Sequence, residues 1–211
     1  MTHEFDKDYW ERHWEQPHGS GPEAATENAP NPYLVRETSG LVPGTALDAG
    51  CGEGAEALWL ASHGWQVTAA DIAAEALARA ASRAAQATAS GPVHWIEADL
   101  TAWEPGTQFD LVTTSYAHPA MPQPAFYERI SAWVAPGGTL VIVGHLHTPE
   151  PAGHGHHPPA HASVTAADIT AALDGAKWEI VTAEEHSRTL TGPGGQAVPP
   201  HDAVVRATRR P

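Results

Sequence analysis

Three glycines, Gly50, Gly52 and Gly54, stand at alternate positions in LDAGCGEGA (47–55), wedged between a short apolar run and an Ala/Leu-rich stretch. TALDAG (45–50) has the length and character of a buried strand, and EGAEALWLASHG (53–64) that of a helix closed by Gly64. A strand that passes through a bare turn directly into a helix opens a β-α unit, and the rest of the chain repeats the pattern. WQVTAAD (65–71) reads as a strand, and IAAEALARAASRAAQATAS (72–90) as a helix ended by Gly91-Pro92. VHWIEAD (93–99) and FDLVTTSY (109–116) read as strands, and AFYERISAWV (125–134) as a helix stopped by Pro136-Gly137-Gly138. TLVIVGH (139–145) is another strand; VTAADITAALDG (164–175) is a helix with Thr165 as N-cap and Asp168 three residues on. WEIVTAEEHSRTL (178–190) and HDAVVRATR (201–209) are strands with only the turn-rich TGPGGQAVPP between them, so they pair as an antiparallel hairpin. The expectation is an α/β, doubly wound, seven-stranded, mainly parallel sheet with an antiparallel C-terminal hairpin strand and helices on both faces.

The chain of 211 residues suits one domain. Residues 1–40, aromatic at first and then Gly/Pro/Asn-rich, read as a helix plus a loop lying over the sheet edge; 41–211 form the core. HTPEPAGHGHHPPAHAS (147–163) is too long for an ordinary connection and reads as a cover over a site. A formal charge of −14 argues against a sequence-independent grip on nucleic acid, which needs a basic face. The longest apolar run, TLVIVG, is far too short to span a bilayer. One cysteine rules out an intramolecular disulfide. The expectation is a soluble cytoplasmic protein.

In an open α/β sheet, ligands bind beyond the C-terminal ends of the strands, where LDAGCGEGA sits. Gly50, Gly52 and Ala55 satisfy the dinucleotide pattern G-x-G-x-x-G/A, and Asp71 follows at a distance suited to a ribose. That pattern leaves open a nicotinamide-dependent oxidoreductase. Asp48 speaks against it, because a carboxylate beside a pyrophosphate is unfavourable and beside an ammonium or sulfonium is favourable. Gly54 extends the motif to G-x-G-x-G, and EADL (97–100) offers Asp99 and the Leu100 backbone to an adenine.

With these features in place, the sequence resembles the class I S-adenosylmethionine-dependent methyltransferases, of the bacterial small-molecule branch. The matching stretches are 46–77, 96–103, FDLVTTSYAH (109–118) and APGGTLVIVGH (135–145). The resemblance implies that Asp48 and the backbone of Gly50 and Gly52 face the amino-acid end of S-adenosylmethionine, with Cys51 and Gly54 completing the cofactor-binding turn. It implies that Asp71 takes both ribose hydroxyls, that Ile72 packs on the adenine, and that Asp99 and Leu100 bond its amino edge. Ser115 and Tyr116, ending the fourth strand, would approach the methionine portion.

Methyl transfer from a sulfonium is an in-line displacement that depends chiefly on alignment and exclusion of water. A base is needed only for an acceptor that must lose a proton, and His118, in SYAHP, is the candidate, with Tyr116 beside it. His145 and His147 in GHLH, and Tyr9, Trp10 and Trp14 of the first helix, are candidate acceptor contacts. The tryptophans could wall the methyl group by cation–π attraction. The six histidines between 145 and 161 lack the spacing of a metal site, so no metal is expected. The expected function is O- or S-methylation of a small molecule, with N-methylation less favoured. The alternatives are an NAD(P)-dependent oxidoreductase and a non-catalytic protein that binds S-adenosylmethionine or a metal.

Overall fold

A computed structural model describes residues 5–15, 29–87, 91–146, 163–187, 190–191, 197–198 and 201–211. The strands that bracket the glycine turn are buried nearly end to end. β1 (Thr45–Ala49) and β2 (Gln66–Asp71) pair in parallel, with Asp48 opposite Ala69. Such runs carry apolar residues on both faces because helices cover both. One face packs Ala46, Leu111 and Val141 against Leu34, Ala57, Leu60 and Leu77. These come from α2 (Pro32–Thr38), α3 (Ala55–Ser62) and α4 (Ala74–Gln86). The opposite face packs Leu47, Val112, Ile142 and Val205 against Phe126, Ile130 and Ile169, of α5 (Gln123–Ser131) and α6 (Ala166–Ala171).

The remaining strands are β3 (Val93–Glu97), β4 (Phe109–Ser115), β5 (Val134–Leu146), β6 (Ser163–Val164), β7 (Trp178–Ser187), β8 (Leu190–Thr191), β9 (Ala197–Val198) and β10 (His201–Arg209). The main order is β3-β2-β1-β4-β5-β10-β7, with the two-residue β6 beside β5. From β1 the chain moves to β2 and β3 on one side, then crosses to β4 on the other. A crevice therefore opens at the C-terminal ends of β1 and β4. β10 inserts between β5 and β7, antiparallel to both, as the expected reversed element.

Three expectations need correction. Residues 32–38 form a helix instead of a loop: Asn31 accepts a hydrogen bond from the Tyr33 amide (2.9 Å), and Pro32 is pre-shaped for a first turn. This α2 buries Leu34 fully against a sheet face, and its Glu37 accepts from Thr182 of the edge strand β7. The helix expected over 125–134 runs over 123–131, and its Pro-Gly-Gly stop already belongs to β5. The terminal connection carries a second ladder, β8 with β9. α1 (Lys7–Glu15) is the predicted first helix, and it packs on α4.

Candidate active site

The glycine turn is held by its own backbone. The Gly50 and Cys51 amides both donate to the Ala70 carbonyl (2.8 and 3.1 Å), and the Gly54 amide donates to the Cys51 carbonyl. Gly50 has φ +80° and Gly54 φ +76°, in the left-handed region where a side chain is penalised. Space is equally short: a Cβ on Gly50 would lie 2.4 Å from the Ala117 Cβ, and one on Gly54 2.5 Å from the Trp95 ring. The turn thus lies tight against the loop after β4 and the Trp95 ring of β3.

Asp71, at the end of β2, fastens the turn from beside. Its two oxygens accept from the Gly52 amide (2.8 Å) and the Ala73 amide (3.0 Å). Burial raises its pKa above the usual carboxylate range, and these bonds oppose the rise. Asp48 lies under the turn at 1% exposure, and its Oδ2 is buried without a hydrogen-bond partner. Burial, then the charges of Glu56 and Asp71, hold its pKa well above normal. Burial also raises Glu56, in the first turn of α3, which accepts from the Asn31 amide. Burial pushes the Cys51 thiol up as well, which removes it as a thiolate nucleophile. A concentration of carboxylates with an orphaned buried oxygen suits a cationic ligand and opposes a pyrophosphate.

Above the turn is a cavity of about 370 Å³. Gly50, Cys51, Gly52 and Gly54 form its floor, and Asp71, Ile72, Asp99 and Leu100 one wall. Asp99 holds its own loop by accepting from the Thr101 amide and hydroxyl. Ser115, Tyr116 and His118 form the opposite wall, and Phe5, Trp10 and Trp14 the roof. α1 keeps its tryptophans there by four clips. The Trp10 indole donates to the His118 carbonyl (3.1 Å), Lys7 pairs with Glu97, and Glu11 accepts from the Ala74 and Glu75 amides.

Of the residues singled out from sequence, Asp48 lies beneath the cavity floor, and Tyr9 packs behind the roof against Phe5 and Trp10. His145 stands one ring back from the wall, stacked on His118 (5.3 Å) and Tyr116 (4.6 Å). His147 and most of the His-rich segment lie outside the described residues. Phe5, Glu53, Glu56 and Arg83 also line the cavity and were not foreseen. Phe5 belongs to the aromatic N-terminal cluster, and Glu56 falls in the first turn after the glycines, so both had local signals. Arg83 had none, because its place depends on long-range packing that brings it to Glu53. Among the described residues no group of three or more His, Cys, Asp or Glu side chains could hold a metal ion.

The strand order, the glycine turn and the cavity at the β1/β4 crevice together define a Rossmann-like methyltransferase fold. Residues 46–138 match the family described as "Methyltransferase domain". Over 99 residues the chain is 41% identical to an uncharacterized methyltransferase of Mycobacterium tuberculosis, covering 46% of this chain and 48% of that one. It is 28% identical over 139 residues to a probable thiol methyltransferase 2 of Arabidopsis thaliana, covering 64% and 60%. The chain therefore spans about half the length of the first of these relatives. Among solved structures it is similar to TehB from Haemophilus influenzae, with TM-score 0.69, 17% identity, and 97% and 67% of the two chains covered. It is also similar to the N-methyltransferase NodS from Bradyrhizobium japonicum in complex with S-adenosyl-L-homocysteine (0.66, 17%, 97% and 98%). Residues 46–138 thus resemble a methyltransferase domain, and the fold is that of the Rossmann-like methyltransferases.

Proposed function

We propose that the protein transfers the methyl group of S-adenosylmethionine to a small-molecule acceptor at sulfur or oxygen. The observation that carries this reading is Asp48, a buried carboxyl with an orphaned oxygen under a glycine turn. It is a poor neighbour for a phosphate and a good one for a cationic amino-acid moiety. The bound cofactor would supply an electrophilic methyl on positive sulfur. Asp48 and the turn receive its amino-acid end, Asp71 its ribose, and Asp99 with Leu100 its adenine. Trp10, Trp14 and Phe5 exclude water and offer aromatic faces to a sulfonium.

Among the described residues, the acceptor end of the cavity, from Phe5 and Trp10 to Tyr116, His118, Pro119 and Ala120, has no carboxylate to hold an ammonium. That disfavours amines and suits a thiol or phenol, whose proton the His118 imidazole receives as the new bond forms. Size points the same way. About 370 Å³ is near the lower end for one drug-sized ligand, and the cofactor takes most of it. The thiol-directed name of the Arabidopsis relative agrees with this reading. A reducing, cytoplasmic setting is in keeping with the buried free Cys51.

Calorimetric titration with S-adenosylmethionine, S-adenosylhomocysteine and NAD tests the cofactor, and a radiolabelled methyl-transfer screen over thiols, phenols, halides and amines tests the acceptor. The expected result is binding of the first two ligands and label on a thiol or phenol. His118→Ala is expected to lower turnover about 100-fold or more with cofactor affinity intact. NAD binding alone, or label on amines only, would overturn the proposal.

A further inference from the structure

We infer that Asp202, on the terminal strand β10 and remote in sequence from every motif of the cofactor site, is a positioning residue for the acceptor wall. It acts by holding a stack of rings: Tyr116, His145 and His118. The inference rests on the methyltransferase reading for its functional consequence and on geometry for the stack itself.

Alternation along β4 would send Tyr116 to the same face as Val112, toward α5 and α6. Asp202 belongs to the opposite face, since its neighbours Ala203 and Val205 pack into the α5/α6 core. Tyr116 nevertheless donates its hydroxyl proton to Asp202 Oδ1 (2.7 Å). It does so because its φ is +55°, the one left-handed non-glycine backbone among the described residues. A tyrosine in that region is costly and persists only where its surroundings dictate it. The fully buried carboxyl of Asp202 is such a constraint. The strand register completes the device: Asp202 is directly opposite His145, whose ring lies on Tyr116 with an interplanar angle of 27°. His118 also stacks on His145, at 5.3 Å and 23°, and Phe5 of the roof packs on His118 at 5.5 Å. One hydrogen bond on the reversed strand thus fixes a column that ends at the proposed base.

The test compares Asp202→Ala, Asp202→Asn and Tyr116→Phe. In proton–carbon NMR spectra of the histidine rings, His145 is expected upfield of an exposed histidine in the parent protein, because two rings stack with it. Asp202→Ala and Tyr116→Phe should lose that shift. Asp202→Asn should keep it, since an amide oxygen accepts the same bond. With 2-mercaptoethanol as probe acceptor, Asp202→Ala and Tyr116→Phe should each raise the acceptor KM or lower kcat about tenfold or more. The double variant should be no worse, and Asp202→Asn should recover most of the loss. The calorimetric Kd for S-adenosylhomocysteine should stay unchanged in the two Asp202 variants. If Asp202→Ala does not fold, Tyr116→Phe, which removes a single oxygen, carries the comparison. An unshifted His145 in the parent, parental shift and kinetics in Tyr116→Phe, or an Asp202→Asn variant as impaired as Tyr116→Phe would overturn the inference. Failure of the parent protein to bind S-adenosylhomocysteine would instead overturn the methyltransferase reading, leaving the NMR comparison to decide the role of Asp202 in the stack.

Discussion

Adding one methyl group at Gly50 tests the fold and the site together. Gly50→Ala places a side chain at φ +80°, which costs about 1–2 kcal/mol for an L-residue in the left-handed region. The new Cβ lies 2.4 Å from the Ala117 Cβ, whereas carbon atoms rest at about 3.5–4.0 Å. One side or the other must yield by more than 1 Å, and overpacking of this kind costs about 1–3 kcal/mol. The total, about 2–5 kcal/mol, corresponds to a fall of roughly 4–20 °C in Tm for a chain of this size. Ala117 lies between Tyr116 and His118, so the displacement passes into the acceptor wall. A misplacement near 1 Å can lower turnover about 100-fold. Differential scanning calorimetry gives the first quantity and methyl transfer to a thiol probe the second. The double variant Gly50→Ala/Ala117→Gly provides the control. Removing the facing methyl should restore the overpacking share and leave the backbone share. A Gly50→Ala protein with parental Tm and turnover would refute the argument, and so would a double variant no better than the single one.

Asp48→Asn should act in opposite directions on stability and binding. The folded pKa of Asp48 is raised, so its ionisation destabilises the fold increasingly as pH rises above the unfolded value of about 4. Denaturation of the two proteins should coincide near pH 3 and diverge in favour of Asn toward pH 8, while cofactor Kd at pH 7 rises roughly 10- to 100-fold; a constant difference across pH would disprove the buried charge. Glu11→Ala removes the oxygen that caps α4 and should cost about 1 kcal/mol, visible as a Tm drop of roughly 2–4 °C that Glu11→Gln largely avoids. Equal melting of all three proteins would show that the cap contributes nothing.

Much of this molecule is written locally. The strand–glycine–helix junction at 45–62, the alternation that follows, and the Thr165/Asp168 capping box are each decided by residues a few positions apart. Asp71 and Asp99 are legible for the same reason: the first ends β2 and the second follows β3 by two residues, and strand ends in this architecture face the crevice. The seven-residue α2 escaped because it is too short for a periodic signal, and its Asn31-Pro32 start sits in a stretch whose composition reads as loop. The sequence alone therefore determined the class of fold, the turn and the acidic residues around it. Only the tertiary structure decided that Asp48 is buried with Glu56 and Asp71 around it, and that α1 roofs the cavity. Nor could sequence place β10 between β5 and β7, so that Asp202 meets Tyr116 across 86 residues. The physical reason is that propensity and periodicity act over one or two turns of chain. Burial, strand insertion and ring stacking depend on which distant segments exclude water from one another.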